Sequence, residues 1–164
     1  MSGVSPPPAG TPPLLYVRAG GRLEAAPAAD QEVARSYPAW PDKGLAAHGR
    51  RVTILTARGN VRPGETVRVI HVAEATEPAA RLYMMGPKAV LGEEVDGAPG
   101  TALPPEDGDP LAPDGPYDGP VVPGPALDYG WEVTSYRFDT RGPHRIVWRP
   151  GADLVSNTLV VEVD

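Results

Sequence analysis

Between residues 51 and 164, apolar residues recur at every second position in short runs, and each run is closed by Pro, Gly, Asp or Asn. A period of two is the signature of a strand with one face in a core and the other in water. "RVTILTAR" alternates, "VRPGE" supplies a turn, and "TVRVIHVAEA" resumes as a long strand. "ARLYMM" and "KAVLGEEV" read as strands divided by Gly86-Pro87, and "YGWEVTSYRF" alternates again. "HRIVWR" sets His144, Ile146 and Trp148 on one face against Arg145, Val147 and Arg149 on the other, and in "SNTLVVEVD" Leu159, Val161 and Val163 share a face. Short strands at this spacing describe an all-β antiparallel sandwich. One run breaks the rule: the apolar set of "TVRVIHVAEA" changes parity between Val67/Val69 and Ile70/Val72, which requires a bulge or a strand buried on both faces.

The 22 Pro and 19 Gly concentrate at residues 3–13 and 96–125. Residues 1–13 read as a flexible or polyproline-like lead. In "LLYVRAGGRLEAAP", Gly20-Gly21 between two short β-compatible runs is a hairpin signal, and "DQEVARSYPAW" predicts a short helix N-capped by Asp30 and stopped before Pro38. The chain thus divides into an N-terminal arm, 1–50, and a sandwich, 51–164, carrying an insertion at 96–128. A lone hairpin is not stable in water, so the arm is expected to dock on the sandwich edge or on another subunit.

"VRPGETVRVIHV" resembles the opening strands of macroglobulin-type and other bacterial immunoglobulin-like domains, where a Pro-Gly-Glu turn feeds a long strand. "FDTRGPHRIVWRPGADLVSNTLVVEV" is similar to their closing strand pair. The resemblance covers about 51–164 and implies an immunoglobulin-like antiparallel β-sandwich with a long Pro/Gly/Asp-rich loop insertion. The chain departs from the pattern where the corner Tyr and following Cys would stand, which are His144 and Ile146 here. Such motifs imply a fold, and fold does not imply function.

A net charge of −6 and scattered Arg exclude a phosphate-binding stripe, so no nucleic-acid partner is expected. No apolar run approaches a membrane span and no secretory segment opens the chain, so the expectation is a cytoplasmic protein without a membrane partner. With no Cys there is neither disulfide nor thiol chemistry.

"PEDGDPLAPDGPYDGP", residues 105–120, is the chemically unusual stretch, with five acidic residues and no basic one. Asp107, Asp109, Asp114 and Asp118 are the candidate oxygens for Ca²⁺, but Leu111 and Ala112 occupy places where a helix–loop–helix calcium loop needs a ligand and a Gly. Pro lowers the entropy lost when a loop orders, and Asp-Gly and Pro steps form turns in which Asp caps backbone N–H groups. The acidic residues are thereby accounted for with no metal or other cofactor. Leu111 and Tyr117 are the expected anchors of this loop, and Tyr129 and Trp131 border it, so these four are the candidate partner-binding residues. His48, His71 and His144 come from separate segments without metalloprotease spacing, and no Ser lies in a nucleophile elbow. Glu93 and Glu94 point to opposite faces of a strand. The expected function is a non-catalytic protein-binding or structural-interaction module presenting the Pro/Asp-rich loop, with a protein partner and a homo-oligomer through the arm both expected. The alternatives are a Ca²⁺-dependent binding module, with carbohydrate as one candidate ligand, and an enzyme of unrecognised class, the latter favoured by a pocket where His71 or His144 meets carboxylates.

Overall fold

The computed structural model describes residues 14–84, 86–113, 116–151 and 153–164. The lead over 1–13, Met85 and the calcium candidate Asp114 lie outside that range. The fold is all-β with one short helix. In chain order the strands are β1 (Tyr16–Ala19), β2 (Arg22–Ala25), β3 (Arg50–Leu55), β4 (Asn60–Val61), β5 (Thr66–Ala75), β6 (Arg81–Tyr83), β7 (Glu93–Val95), β8 (Ala98–Pro99), β9 (Val121–Pro123), β10 (Ala126–Asp128), β11 (Glu132–Arg137), β12 (Gly142–Trp148) and β13 (Leu159–Val163). The helix α1 spans Ala28–Arg35 and is followed by a 3-10 turn at Tyr37–Ala39.

A six-stranded sheet is organised around β5, with β3 on one flank and β10 and β11 on the other, extended through β1 to β2. A five-stranded sheet runs β4-β13-β12-β7-β8, and β6 pairs with β9 in a separate ribbon. The expectation of uniformly antiparallel strands is corrected at two places: β1 lies parallel to β11 and β4 parallel to β13. Parallel neighbours need long connections that return to the same end, and both pairs are far apart in sequence. The insertion at 96–128 is not all loop either, because β8, β9 and β10 fall inside it. "KAVLGEEV" is a strand only at Glu93–Val95.

The parity change in β5 resolves as two-sided burial. The register of β3 against β5 runs unbroken from Arg50↔Ala75 to Leu55↔Ile70, so there is no bulge. Val67, Val69, Ala73 and Ala75 enter one core with Ile146, Trp148, Leu159, Val161 and Val163 of the five-stranded sheet. Ile70 and Val72 face the other way, into a second core with Leu15, Ala26, Ala34, Tyr37 and Val133. The arm therefore covers the outer face of the central strand. Gly20 and Gly21 hold φ of 57° and 78° at its hairpin turn, the left-handed pair that a two-residue hairpin requires. Gln31 fastens the arm internally: its Oε1 accepts from the backbone N–H of Leu14 and Leu15 at 2.9 and 3.1 Å, and its Nε2 donates to the carbonyls of Leu15 and Ala26. The helix begins earlier than expected, with Pro27 at the N-cap position. Asp30 is instead buried in the first turn, where it accepts from Arg68.

Candidate binding cleft and the buried polar network

Two features stand apart from ordinary packing. The first is a cleft of about 800 Å³ between the Pro-rich loop and the Pro87–Leu91 segment, bounded by Leu91, Leu103, Pro110, Ala112, Lys88 and Trp131. The second is a set of ionisable side chains sealed behind the cleft wall.

The loop over 103–113 forms one side of the cleft because it is tied down at two points. Leu111 is only 1% exposed and belongs to the main core. Asp109 receives Arg50 Nη1 on both carboxylate oxygens, at 2.8 and 2.9 Å, and also accepts the N–H of Leu111 at 3.0 Å. The last bond is an Asx-type turn within the loop. Burial, with the Asp109 carboxylate next in effect, raises the Tyr83 hydroxyl above its ordinary range.

Opposite the loop, Lys88 is almost buried and donates to Asp128 Oδ2 at 2.8 Å and to the Tyr83 carbonyl at 3.0 Å. Its ammonium stands 4.7 Å from the centroid of the Trp131 ring, a cation–π contact strengthened by desolvation. Burial pulls Lys88 below the usual lysine range, against the opposing pull of Asp128. Backbone bonds from Lys88 N–H to the Gly130 carbonyl and from Glu132 N–H to the Lys88 carbonyl, each 2.8 Å, fix this segment to Trp131.

Behind Trp131 lies Trp148, edge to face at 4.9 Å between ring centroids, and behind that His71 at 5.0 Å. His71 Nε2 meets Glu93 Oε2 at 2.5 Å, with both side chains fully buried. The other Glu93 oxygen accepts from Thr134 Oγ1 and Tyr136 Oη, both at 2.5 Å. Burial pushes the Glu93 carboxyl upward, but the His71 charge and the hydrogen bonds from His71, Thr134 and Tyr136 outweigh it and hold the group below its ordinary value. The Tyr136 hydroxyl is driven far above its own by burial and by that same carboxylate. Glu93 reaches this place because Gly92 has φ 81° and a Cβ there would stand 2.0 Å from the Arg149 carbonyl. His71 Nδ1 and Trp131 Nε1 have no hydrogen-bond partner among the described residues.

The four residues expected to bind a partner are not all brought together: Leu111 and Trp131 share the main core, and Tyr117 and Tyr129 lie elsewhere. Trp131 lines the cleft, whereas Leu111 is buried in the main core between the lining residues Pro110 and Ala112. Tyr117 rests edge-on against Tyr83 at 5.5 Å and donates to the Pro120 carbonyl. Tyr129 packs instead on Tyr37, at 6.5 Å, in the second core. Among the described residues no three His, Asp or Glu gather as a metal site. Of the calcium candidates, Asp109 is committed to Arg50, whereas Asp107 and Asp118 are exposed. All three histidines meet carboxylates, but in separate places: His71 with Glu93, His144 with Asp96 at 2.6 Å, and His48 with Asp153 at 2.8 Å. The His71–Glu93 pair is enclosed, with both side chains fully buried. No helix among the described residues is long and apolar enough to cross a membrane. No family model, curated protein or solved structure matches the chain.

The sequence reading paired neither His71 with Glu93 nor Lys88 with Asp128. His71 did carry a signal, since it shares its parity with Val69 and Ala73. Glu93 carried none, because a charged residue that opens the three-residue strand β7 gives no local sign that it faces the core of a different sheet.

Proposed function

We propose that the chain is a non-catalytic protein-binding module of immunoglobulin-like sandwich architecture, and that its ligand seat is the cleft beneath the Pro-rich loop. The fold part of this reading is supported by two sheets sharing one core, with β12 and β13 packed against β3 and β5. The observation that carries the function is the construction of the cleft. A wall of Pro and Leu side chains, anchored by Leu111 and the Arg50–Asp109 pair, faces Lys88 and Trp131 across a space large enough for several side chains. Pre-formed concave sites with apolar walls and few polar groups are where partners bind, because little ordering entropy remains to be lost. The exposed acidic residues Glu106 and Asp107 stand at the loop, so the partner segment is apolar with a basic flank, drawn in by charge complementarity.

The test is a photo-crosslinking residue at Ala112, a half-buried position on the cleft. A partner captured there must be lost when Leu103→Asp places a charge on the cleft wall, and retained when the exposed Leu45 is changed to Ser as a remote control. Capture that ignores Leu103→Asp would place the binding surface elsewhere.

A further inference from the structure

The edges of the two sheets are treated unequally. The free edge of β3 is covered along its length: Arg50 exchanges backbone bonds with Ala47 at 2.8 and 3.0 Å, Gly44 is pressed against the Val52 carbonyl, and Asn157 brackets Ile54. Asn157 Oδ1 accepts from the Ile54 N–H at 2.8 Å, and its Nδ2 donates to the Ile54 carbonyl at 3.0 Å, as a neighbouring strand would. In the other sheet the edge strands β4 and β8 have two residues each, and β8 ends in Pro99. Short strands and Pro are the usual ways to blunt an edge. Strand β2, at four residues, is twice as long as either and holds no Pro. It ends the six-stranded sheet, all four of its residues are exposed, and no strand among the described residues lies beyond it.

We propose that β2 pairs with β2 of a second copy of this chain, antiparallel about a two-fold axis through Leu23, joining the two six-stranded sheets. The backbone alternation fixes which groups face out. Ala26 N–H bonds the Leu15 carbonyl at 3.0 Å, so in this register Val17–Glu24 and Ala19–Arg22 are the bonded pairs, and the N–H and C=O of Leu23 point to the open side. With the axis on Leu23, the two Leu23 residues exchange both backbone bonds, and their side chains, 42% exposed in the single chain, cover one another. Arg22 of each copy then stands opposite Glu24 of the other, an opposite-charge cross-strand pair made twice. Centring on Glu24 or Arg22 instead would set like charges face to face. The sequence Arg-Leu-Glu is thus self-complementary in one register, and self-complementarity is what an isologous two-fold interface requires. This surface is independent of the cleft.

Sedimentation equilibrium over a wide concentration range tests it. The wild-type chain is expected to rise with concentration toward twice its 17.2 kDa mass. Glu24→Arg or Arg22→Glu alone should weaken dimerisation about tenfold or more, since each replaces two attractions by two repulsions. The double reversal Arg22→Glu, Glu24→Arg should restore it. All these positions are exposed, so folding is not at risk. A wild-type chain that stays monomeric at every concentration, a dimer indifferent to the single reversals, or a double reversal that fails to restore it would each overturn the proposal.

Discussion

His71 and Glu93, drawn from strands of different sheets, meet at 2.5 Å with neither side chain exposed. The pair bridges the two sheets through their shared core, and Trp148 covers it on the cleft side. A buried pair is a poor source of net stability, but breaking one leaves an uncompensated polar group. Glu93→Ala should therefore destabilise the fold by about 3–5 kcal/mol. Replacing both partners together, as His71→Leu with Glu93→Leu, should cost clearly less than the sum of the single changes. Urea unfolding of the three variants checks this, and additive costs would mean that the two side chains act separately.

Acid sensitivity follows from the same carboxylate. The folded value of Glu93 lies below its ordinary value of 4.5, so the unfolded chain takes up the proton first as pH falls. Its contribution is present above pH 4.5 and is lost as pH drops through the folded value. The urea midpoint should fall with acid in the wild type, and Glu93→Gln should flatten that part of the curve.

His144 gives the opposite slope. Its Nδ1 faces Asp96 Oδ2 and its Nε2 donates to the Thr140 carbonyl, each at 2.6 Å. The hydrogen bond to Asp96, followed by that to Thr140, raises its affinity for the proton above the ordinary 6.5. Stability from this group is complete below pH 6.5 and is lost as pH rises through the folded value. The wild-type midpoint should decline as pH rises above 6.5, and His144→Gln should abolish that decline.

Trp148 is fully buried, donates Nε1–H to the Leu91 carbonyl at 2.9 Å, and touches both His71 and Trp131. Trp148→Ala should cost about 3–5 kcal/mol, the usual range for a large aromatic leaving a core. An unchanged denaturation midpoint would refute the packing of the two sheets.

Calcium should leave the protein as it is. Asp109 already holds Arg50 and the Leu111 N–H, so Ca²⁺ would have to displace a partly buried Arg. Neither millimolar Ca²⁺ nor a chelator should move the melting temperature, and a rise with Ca²⁺ would revive the metal reading of the loop.

Much of the fold was legible because alternation reports directly which face of a strand is buried. Ile146, Trp148, Leu159, Val161 and Val163 all lie where parity puts them, and the parity change in β5 left a bulge or two-sided burial open, of which the structure has the second. The direction of β1 beside β11 was not legible, since local pattern carries no information about which distant strand becomes a neighbour. The cleft was hidden for a related reason. Leu111 stood out as an anchor by being apolar among acidic residues, but its Arg50 and Asp109 clasp joins residues far apart in sequence. Tyr129 and Trp131 alternate with polar neighbours in the same way, and only the folded sheet tells which core each one enters.

The reading of the acidic stretch as a fixed wall is the point on which the cleft, and with it the proposed binding function, stands. Hydrogen–deuterium exchange across residues 103–113 of the wild-type chain, beside Arg50→Ala, measures it directly. The account predicts that the Leu111 amide, bonded to Asp109 and seated in the core, exchanges orders of magnitude more slowly than a free chain, and that Arg50→Ala speeds it while β12 and β13 stay protected. Exchange of the whole loop at the free-chain rate in the wild type would contradict it, and would make the stretch a spacer.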